Sequence, residues 1–146
     1  MGNDLAASKY TQGHLVFVYN ADSGMLNLVK DIAHKLLSPS TYPCSLCDLT
    51  YSAFGEKKSW IRFRKALPVS QEYLHIDEFI SQYRRAIEAF RSGSGQAGVI
   101  QYPAIFRLDE NEGTGEGTLE LVATKQQLDA CESQKALKSL VRSLLA

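Results

Sequence analysis

The sequence has no long apolar run and no excess of charge of either sign, and these absences argue against several classes of protein. No apolar run approaches the ~20 residues that span a bilayer as a helix, so no membrane partner is expected. Sixteen Lys and Arg residues balance sixteen Asp and Glu residues, so net charge gives no general attraction to nucleic acid or anionic membrane. The stretch MGNDLAASKYTQG has no basic region followed by an apolar one, so no secretory signal is expected.

Cysteine is also scarce, and its number argues against a secreted domain stapled by disulfides. The chain has three cysteines, an odd count that does not suggest a disulfide framework. With 45% apolar and 22% charged residues among 146, the composition is that of a globular protein of ordinary size. We therefore expect a single domain over residues 1–146, with a flexible N-terminus at 1–13, in the cytoplasm and with reduced thiols.

The chain opens with a predicted strand followed by a predicted helix. The run HLVFVYN at 14–20 is short, continuous and rich in β-branched and aromatic residues, which is typical of a strand buried on both faces. Asp22 or Ser23 can cap a helix. Apolar residues then recur with helical spacing between positions 25 and 37, before Pro39 ends the pattern.

Residues 38–70 form an insert whose structure the pattern leaves open. It contains Cys44 and Cys47 in a C-x-x-C, a possible short strand at 49–51, and the basic stretch GEKKSWIRFRKAL. The aromatic residues of that stretch fit one face of a helix, although part of it would also alternate in a strand. Basic residues with aromatics can hold single-stranded nucleic acid. They more often flank a core-facing aromatic stripe, so nucleic acid is not expected as a partner.

The remainder predicts a strand and a helix, then a hairpin and a final helix. EYLHI at 72–76 is the strand, and Asp77 is predicted to cap a helix that runs to about position 90. The runs VIQYPAIFRL and TLELVA, joined by DENEGTGEG, predict a β-hairpin. Thr124 with Gln127 resembles a capping box before the amphipathic C-terminal helix. Strand–helix–strand units favour parallel pairing and the hairpin adds an antiparallel strand, so the fold class is α/β with a mixed sheet.

This order of elements resembles the thioredoxin fold. The stretch QYPAIFRLDENEG, followed by TLELVAT and a terminal amphipathic helix, carries the resemblance, and Pro103 stands where that family has its cis-proline. EYLHIDEF is similar to the family's third strand and the turn after it. The resemblance covers residues 14–37 and 71–145, by pattern more than by identity. It implies a thioredoxin-like mixed sheet flanked by helices, with the insert at about 38–70.

The cysteines depart from the position that this resemblance implies. Redox-active members of the family carry their C-x-x-C at the N-terminus of the helix after the first strand, where backbone N–H groups stabilise a thiolate. In this sequence that place is ADSG at 21–24, which has no cysteine. Cys44 and Cys47 come after the helix instead. They are therefore expected toward the opposite end of the sheet, unless the insert folds back over it. A new helix that began at Cys44 would again place the pair at a helix N-terminus, where the dipole favours a thiolate.

Three roles for the C-x-x-C stay open, namely metal binding, thiol redox chemistry and structural packing. Zinc prefers four ligands; Cys44 and Cys47 supply two, and His34 and His75 are the candidate imidazole ligands, with Cys131 as a further thiol. Redox chemistry would make Cys44 and Cys47 the catalytic pair of a thiol–disulfide oxidoreductase. Alternatively, the chain is a non-enzymatic adaptor that binds an unknown protein partner and has structural cysteines.

A nucleotide-hydrolase site is not expected, although one stretch has a suggestive position. NADSGMLN follows a strand and opens a helix, but it lacks the second glycine and the lysine of a phosphate-binding loop. The stretches NADSG and YPCSLC resemble those of a poorly characterised group of short bacterial proteins, some of them labelled as GTPases, and the residues here do not support that label. Ser23 and Gly24 still offer backbone donors for an anion at a helix N-terminus facing Pro103.

Overall fold

The computed structural model describes residues 13–23, 44–52, 54–93, 100–110 and 117–145 of the chain. Their strands are β1 His14–Val18, β2 Tyr51–Ser52, β3 Gly55–Glu56, β4 Gln71–Leu74, β5 Ala104–Glu110 and β6 Gly117–Ala123. Their helices are α1 Ser45–Thr50, α2 Lys58–Lys65, α3 Ile76–Gln82, α4 Arg84–Gly93, α5 Lys125–Asp129 and α6 Gln134–Leu144. The helix predicted at 25–37 and nearly all of the predicted flexible N-terminus lie outside the described residues.

A four-stranded mixed sheet organises these elements in the order β4-β1-β5-β6. Strands β4 and β6 are the two edge strands, and β1 and β5 lie between them. Strand β4 pairs with β1 in parallel, whereas β5 is antiparallel to both β1 and β6. The predicted mixed α/β sheet is therefore confirmed. Strands β2 and β3 form a separate two-stranded sheet within the predicted insert. None of the helices in the described ranges is long and apolar enough to cross a membrane.

Strand β1 is buried on both faces, as its continuous apolar run predicts. Leu15 and Phe17 belong to a core cluster with residues of α1, α2, α5 and α6, while Val16 and Val18 pack with residues of α3 and α4. Successive side chains of a strand point to opposite faces of the sheet, so helices cover both sides of β1. The sheet thus forms the middle of three layers.

Most of the basic stretch of the insert is helical, from Lys58 to Lys65, and its aromatic residues are spaced to share one side of this helix. Trp60 is fully buried in α2, and Phe63 is 8% exposed. Their rings lie 5.1 Å apart, and the Trp60 ring meets that of Phe17 edge-on at 6.3 Å. Helix α2 therefore rests its aromatic face on the sheet and turns its basic residues outward.

The junction between β4 and α3 differs from the prediction. The strand ends at Leu74 rather than at position 76, and His75, not Asp77, is the N-cap residue. The Asp77 carboxylate instead accepts hydrogen bonds from Ser23. The helix predicted to continue to position 90 is divided into α3 and α4 at Tyr83. An aspartate is the commoner N-cap, but here its carboxylate has another partner.

The C-terminal part follows the prediction in its order of elements, although β5 begins at Ala104 rather than at position 99 and the last helix has a separate N-cap, Ser133. Strands β5 and β6 form the predicted hairpin, and the capping box of Thr124 and Gln127 opens α5. Helix α6 buries Leu137 and Val141 against the sheet. The Tyr102–Pro103 peptide bond is cis, directly before β5.

The Glu72 carboxylate links β4 to strand β1 and to the C-terminal end of helix α3, and we expect its contribution to stability to depend on pH. Its carboxylate accepts hydrogen bonds from Tyr83, His14 and Gln82. Burial alone would raise the pKa of Glu72, but these hydrogen bonds lower it below its ordinary value of 4.5. A carboxyl with a lowered pKa stabilises the fold above the unfolded-state pKa, and this contribution is lost as pH falls through the folded-state value.

We therefore expect Glu72→Gln to lower the free energy of unfolding by about 1 kcal/mol at neutral pH, as for the loss of hydrogen bonds to a charged group. The difference from the wild type should shrink as pH falls from about 4.5 through the lower folded-state pKa, since the carboxyl of the folded wild type then becomes protonated as well. Urea unfolding at a series of pH values measures both. A loss of the same size at neutral and strongly acidic pH would contradict this assignment.

Candidate functional site

The candidate site lies at one end of the sheet, where four strands meet. Val18 at the carboxyl end of β1 pairs with Leu74 of β4 and Ala104 of β5, and Ala123 of β6 pairs with Ile105. The segments that leave these strands are therefore neighbours at this end. These segments include the Ser23–Asp77 pair, His75, Pro103 and helix α5. The C-x-x-C joins them, because Cys44 contacts Asn20, which follows β1.

Cys44 is the N-cap residue of α1, and it is 2% exposed. Its Sγ accepts a hydrogen bond from the backbone N–H of Cys47 at 3.2 Å and another from the backbone N–H of Asn20 at 3.4 Å. Asn20 follows β1, so this second bond places Cys44 at the carboxyl end of that strand. The insert therefore folds back over this end of the sheet, which is the exception that the predicted placement at the opposite end allowed, and a new helix begins directly after Cys44.

Cys44 and Cys47 form a disulfide. Cys44 is the N-cap residue and Cys47 lies in the first turn of α1; their Cα atoms are 5.2 Å apart, within the range that a disulfide requires. This differs from the reduced thiols that composition predicted. Cys47 is only partly buried, so the two sulfur-bearing residues are unequally accessible from solvent.

Side-chain contacts with the C-terminal part of the chain hold α1 in place. Ser45 Oγ donates to Asp129 Oδ1 of α5 at 2.8 Å, and Gln134 Nε2 of α6 donates to the backbone carbonyl of Leu49 at 3.0 Å. Leu46 is fully buried in the core. These anchors fix both ends of the short helix, and with them the position of the C-x-x-C.

Aromatic residues and a histidine surround the carboxyl ends of β1 and β4. The Tyr19 ring lies 5.8 Å from the Tyr51 ring, 6.3 Å from the Tyr73 ring and 5.8 Å from the His75 ring. Burial raises the pKa of Tyr19 and of Tyr73 far above that of an exposed tyrosine, so both phenols stay neutral. The cysteine pair therefore shares its surroundings with uncharged groups.

The structure brings Ser23 to Asp77 rather than leaving it free for an external anion. The Ser23 backbone N–H donates to Asp77 Oδ1 at 2.8 Å, and its hydroxyl donates to Asp77 Oδ2 at 2.6 Å. These hydrogen bonds lower the pKa of Asp77. The internal carboxylate thus takes the place that the sequence assigned to an anion. Gly24, the other predicted anion-binding residue, lies outside the described residues.

The predicted zinc ligands are only partly accounted for. His75 Nδ1 hydrogen-bonds the Glu78 carboxylate, and its Nε2 is buried without a hydrogen-bond partner among the described residues. Within the same residues no group of three or more His, Cys, Asp or Glu side chains is placed to hold a metal ion. His34 lies outside them. Zinc binding at Cys44 and Cys47 stays a prediction.

Cys131 differs from the C-x-x-C pair in its surroundings. It has a free thiol, is partly buried against the same core cluster, and donates from Sγ to the Gln127 carbonyl at 3.5 Å. Burial raises the pKa of the Cys131 thiol. A thiol that resists ionisation is a poor nucleophile, so the reactive candidates are Cys44 and Cys47.

An apolar groove of about 550 Å³ lies away from the cysteines, between helix α4 and strand β6. Its walls include Ala86 and Phe90 of the helix and Leu119 and Leu121 of the strand. The helix packs on the sheet face opposite to that of α1 and α2. Of the predicted thiol-site residues that the structure describes, none lines this groove.

Sequence reasoning missed the residues that position the cysteines. Asn20 contributes a backbone N–H, which every residue except proline carries, so no sequence signal marks it. Ser45 and Asp129 are polar residues far apart in the chain, and only the fold joins them. Cys44 was recognisable from its C-x-x-C spacing with Cys47.

The chain matches no protein-family model, no curated protein and no solved structure. The geometry of the site and the residues in it therefore carry any functional conclusion.

Proposed function

We propose that this chain is a thioredoxin-like domain that carries out thiol–disulfide exchange through Cys44 and Cys47. The arrangement of the sheet supports the fold assignment, because the β1 and β4 strands are parallel and the β5–β6 hairpin lies antiparallel beside β1. Pro103, the residue that suggested the resemblance, precedes β5 at the same end of the sheet as Cys44.

One observation carries the proposal, namely the environment of Cys44 Sγ. This sulfur accepts two backbone N–H groups, from Asn20 and Cys47, and lies at bonding distance from the Cys47 sulfur. Hydrogen bonds to the charged form of a group favour that form, so the same donors stabilise a Cys44 thiolate once the disulfide opens. A thiolate that is a stable leaving group makes exchange at its partner sulfur faster.

Accessibility assigns different roles to the two cysteines. Cys47 is partly exposed whereas Cys44 is 2% exposed, so we expect an external partner to reach the Cys47 sulfur. In the oxidising direction, a partner thiolate attacks Cys47 Sγ, the Cys44–Cys47 bond breaks, and its electron pair leaves with Cys44 as a thiolate. A second partner thiolate then attacks the mixed disulfide at the partner sulfur and releases the Cys47 thiolate, so two electrons pass to the protein.

The reducing direction reverses these steps with the same atoms. The Cys47 thiolate attacks a partner disulfide, displaces one partner thiolate and forms a mixed disulfide at Cys47. The Cys44 thiolate then attacks Cys47 Sγ, which restores the Cys44–Cys47 disulfide and releases the second partner thiolate. Two electrons pass from the dithiol to the partner disulfide in each cycle.

Catalysed reduction of a protein disulfide tests this function. Insulin with dithiothreitol as electron donor is the assay, and the Cys131→Ser variant is the reference because it retains only the C-x-x-C pair. We expect turnover above the uncatalysed rate for this variant and for the wild type, and none for Cys44→Ser/Cys47→Ser. Equal rates with and without protein would contradict the proposal.

Metal content of the same preparation separates exchange from the zinc alternative. About one zinc per chain, with Cys44 and Cys47 protected from thiol reagents, would establish a metal site instead. An absence of both zinc and turnover would leave the two cysteines as structural residues of an interaction domain.

A further inference from the structure

We propose that helices α2 and α6 together form a docking surface for an acidic segment of another protein. The surface, called the basic face below, consists of six Lys and Arg residues that lie on two adjoining helices: Lys58, Arg62 and Lys65 of α2, and Lys135, Lys138 and Arg142 of α6. This inference uses no property of the cysteines and stands apart from the proposed exchange activity.

Helical spacing places the basic residues of each helix in one row. Those of α2 follow one another at intervals of four and three residues, and those of α6 at intervals of three and four. Residues at these intervals share a side of an α-helix. All but Lys138 are exposed, and Lys138 is partly exposed.

Contacts between the helices bring the two rows together. Ser59 Oγ of α2 donates to Gln134 Oε1 of α6 at 2.7 Å. Further along, Lys138 Nζ lies 5.7 Å and Arg142 Cζ 5.0 Å from the centroid of the Phe63 ring. The cations of α6 therefore lie over an aromatic residue of α2, and the two rows form one surface.

The positive charge of the basic face is not neutralised within the described part of the chain. Ion pairs among the described residues involve the cations of His14, Arg64, His75, Arg107 and Lys125. None of the six residues of the basic face takes part in these pairs. The chain as a whole is neutral, with sixteen basic and sixteen acidic residues. Outside the six residues of the face the chain has ten basic and sixteen acidic residues, so the remainder of the protein carries net negative charge.

Two features favour an acidic polypeptide over nucleic acid as the occupant. Single-stranded nucleic acid is held partly by stacking its bases on exposed aromatic rings, but Trp60 is fully buried and Phe63 is 8% exposed. A nucleic-acid polymer also extends beyond a small patch, and the net negative charge of the rest of this chain disfavours it there. A short acidic segment avoids this repulsion.

The dimensions of the basic face fit such a segment. Lys135 and Arg142 are separated by seven positions, about 10 Å along a helix. An extended peptide covers about 10 Å with three or four residues, so several Asp or Glu carboxylates can lie opposite the two rows at once. Each exposed ion pair contributes little and is screened by salt, so the complex should be weak and sensitive to ionic strength.

Fluorescence anisotropy with a labelled glutamate-rich peptide of about ten residues tests the proposal, since such a peptide provides the closely spaced carboxylates that the face requires. We expect binding at about 50 mM salt and at least about tenfold weaker binding at about 200 mM, because screening increases over this range. The variant Lys65→Glu/Lys135→Glu should lose most of the binding, since it reverses the charge of one residue in each row. Both side chains are exposed, and neither makes a hydrogen bond or ion pair with the residues that the structure describes.

The control variant is Arg84→Glu/Arg91→Glu, which changes net charge by the same amount on exposed positions of α4. It should retain the wild-type affinity, and unfolding curves of both variants should match that of the wild type. Absence of peptide binding at low salt, or equal loss in the two variants, would overturn the basic face as a specific surface. Tighter binding to duplex DNA than to the peptide would overturn the assigned occupant.

Discussion

The single-cysteine variants should differ sharply, with Cys47 reacting readily and Cys44 reacting slowly. In a Cys131→Ser background, Cys44→Ser leaves the partly exposed Cys47 as the sole thiol, and Cys47→Ser leaves only Cys44, which is 2% exposed. An alkylating reagent must contact the sulfur, so burial slows its reaction even where hydrogen bonds favour the thiolate. We expect Cys47 to react at least about tenfold faster with iodoacetamide.

The same pair of variants should separate the two steps of exchange. Cys44→Ser retains the attacking sulfur but has no thiolate to resolve the intermediate, so it should accumulate a mixed disulfide with a protein thiol or with glutathione. Cys47→Ser should form little of this species. In the insulin assay, the turnover of both variants should be at least about a hundredfold lower than that of the Cys131→Ser protein, because each variant lacks one thiol of the dithiol.

Preferential trapping at Cys44 would contradict the assignment of roles. In that case the burial of Cys44 would have to be relieved on partner binding, and Cys47 would be the resolving residue. Mass spectrometry of the trapped adduct identifies the modified cysteine directly. The double variant Cys44→Ser/Cys47→Ser supplies the background level of adduct.

The largest expected effect on stability is that of Trp60→Ala. Trp60 is fully buried, and its ring contacts Phe17 of the sheet and Phe63 of its own helix. Truncation removes much buried apolar surface and leaves a cavity, which typically costs about 3–5 kcal/mol. Such a loss is a large part of the about 5–15 kcal/mol of stability that domains usually possess.

Phe54→Ala is the matched control for the loss of an aromatic ring. Phe54 lies in the turn between β2 and β3 and is 94% exposed, so its removal should change stability by no more than about 0.5 kcal/mol. Urea unfolding measures both variants, and Trp60→Phe provides a milder substitution if Trp60→Ala does not fold. Similar small losses for the Trp60 and Phe54 variants would contradict the packing of α2 on the sheet.

The fold class was predictable because its strongest elements have local signals. A continuous β-branched and aromatic run marks β1, and two such runs around a glycine-rich acidic stretch mark the β5–β6 hairpin. The junction at His75 was not predictable in the same way. Asp77 has the commoner capping side chain, but a distant residue, Ser23, takes its carboxylate.

The placement of the cysteines could not be predicted, because it depends on contacts between distant parts of the chain. The bond from the Asn20 N–H to Cys44 Sγ joins residues 24 positions apart, and the Ser45–Asp129 bond joins residues 84 positions apart. The basic face presents the same difficulty. The charge spacing of each helix is visible in the sequence, but only the position of Phe63 beneath Lys138 and Arg142 shows that the two rows adjoin.

Equilibration of the Cys131→Ser variant in glutathione redox buffers tests the central claim most directly. Thiols are alkylated after equilibration, and mass spectrometry gives the fractions of dithiol and of Cys44–Cys47 disulfide. A reversible two-electron transition, reached equally from the oxidised and the reduced protein, is the predicted result. Cysteines that remain in one state across all buffers, whether disulfide or dithiol, would contradict thiol–disulfide exchange as the function of this site.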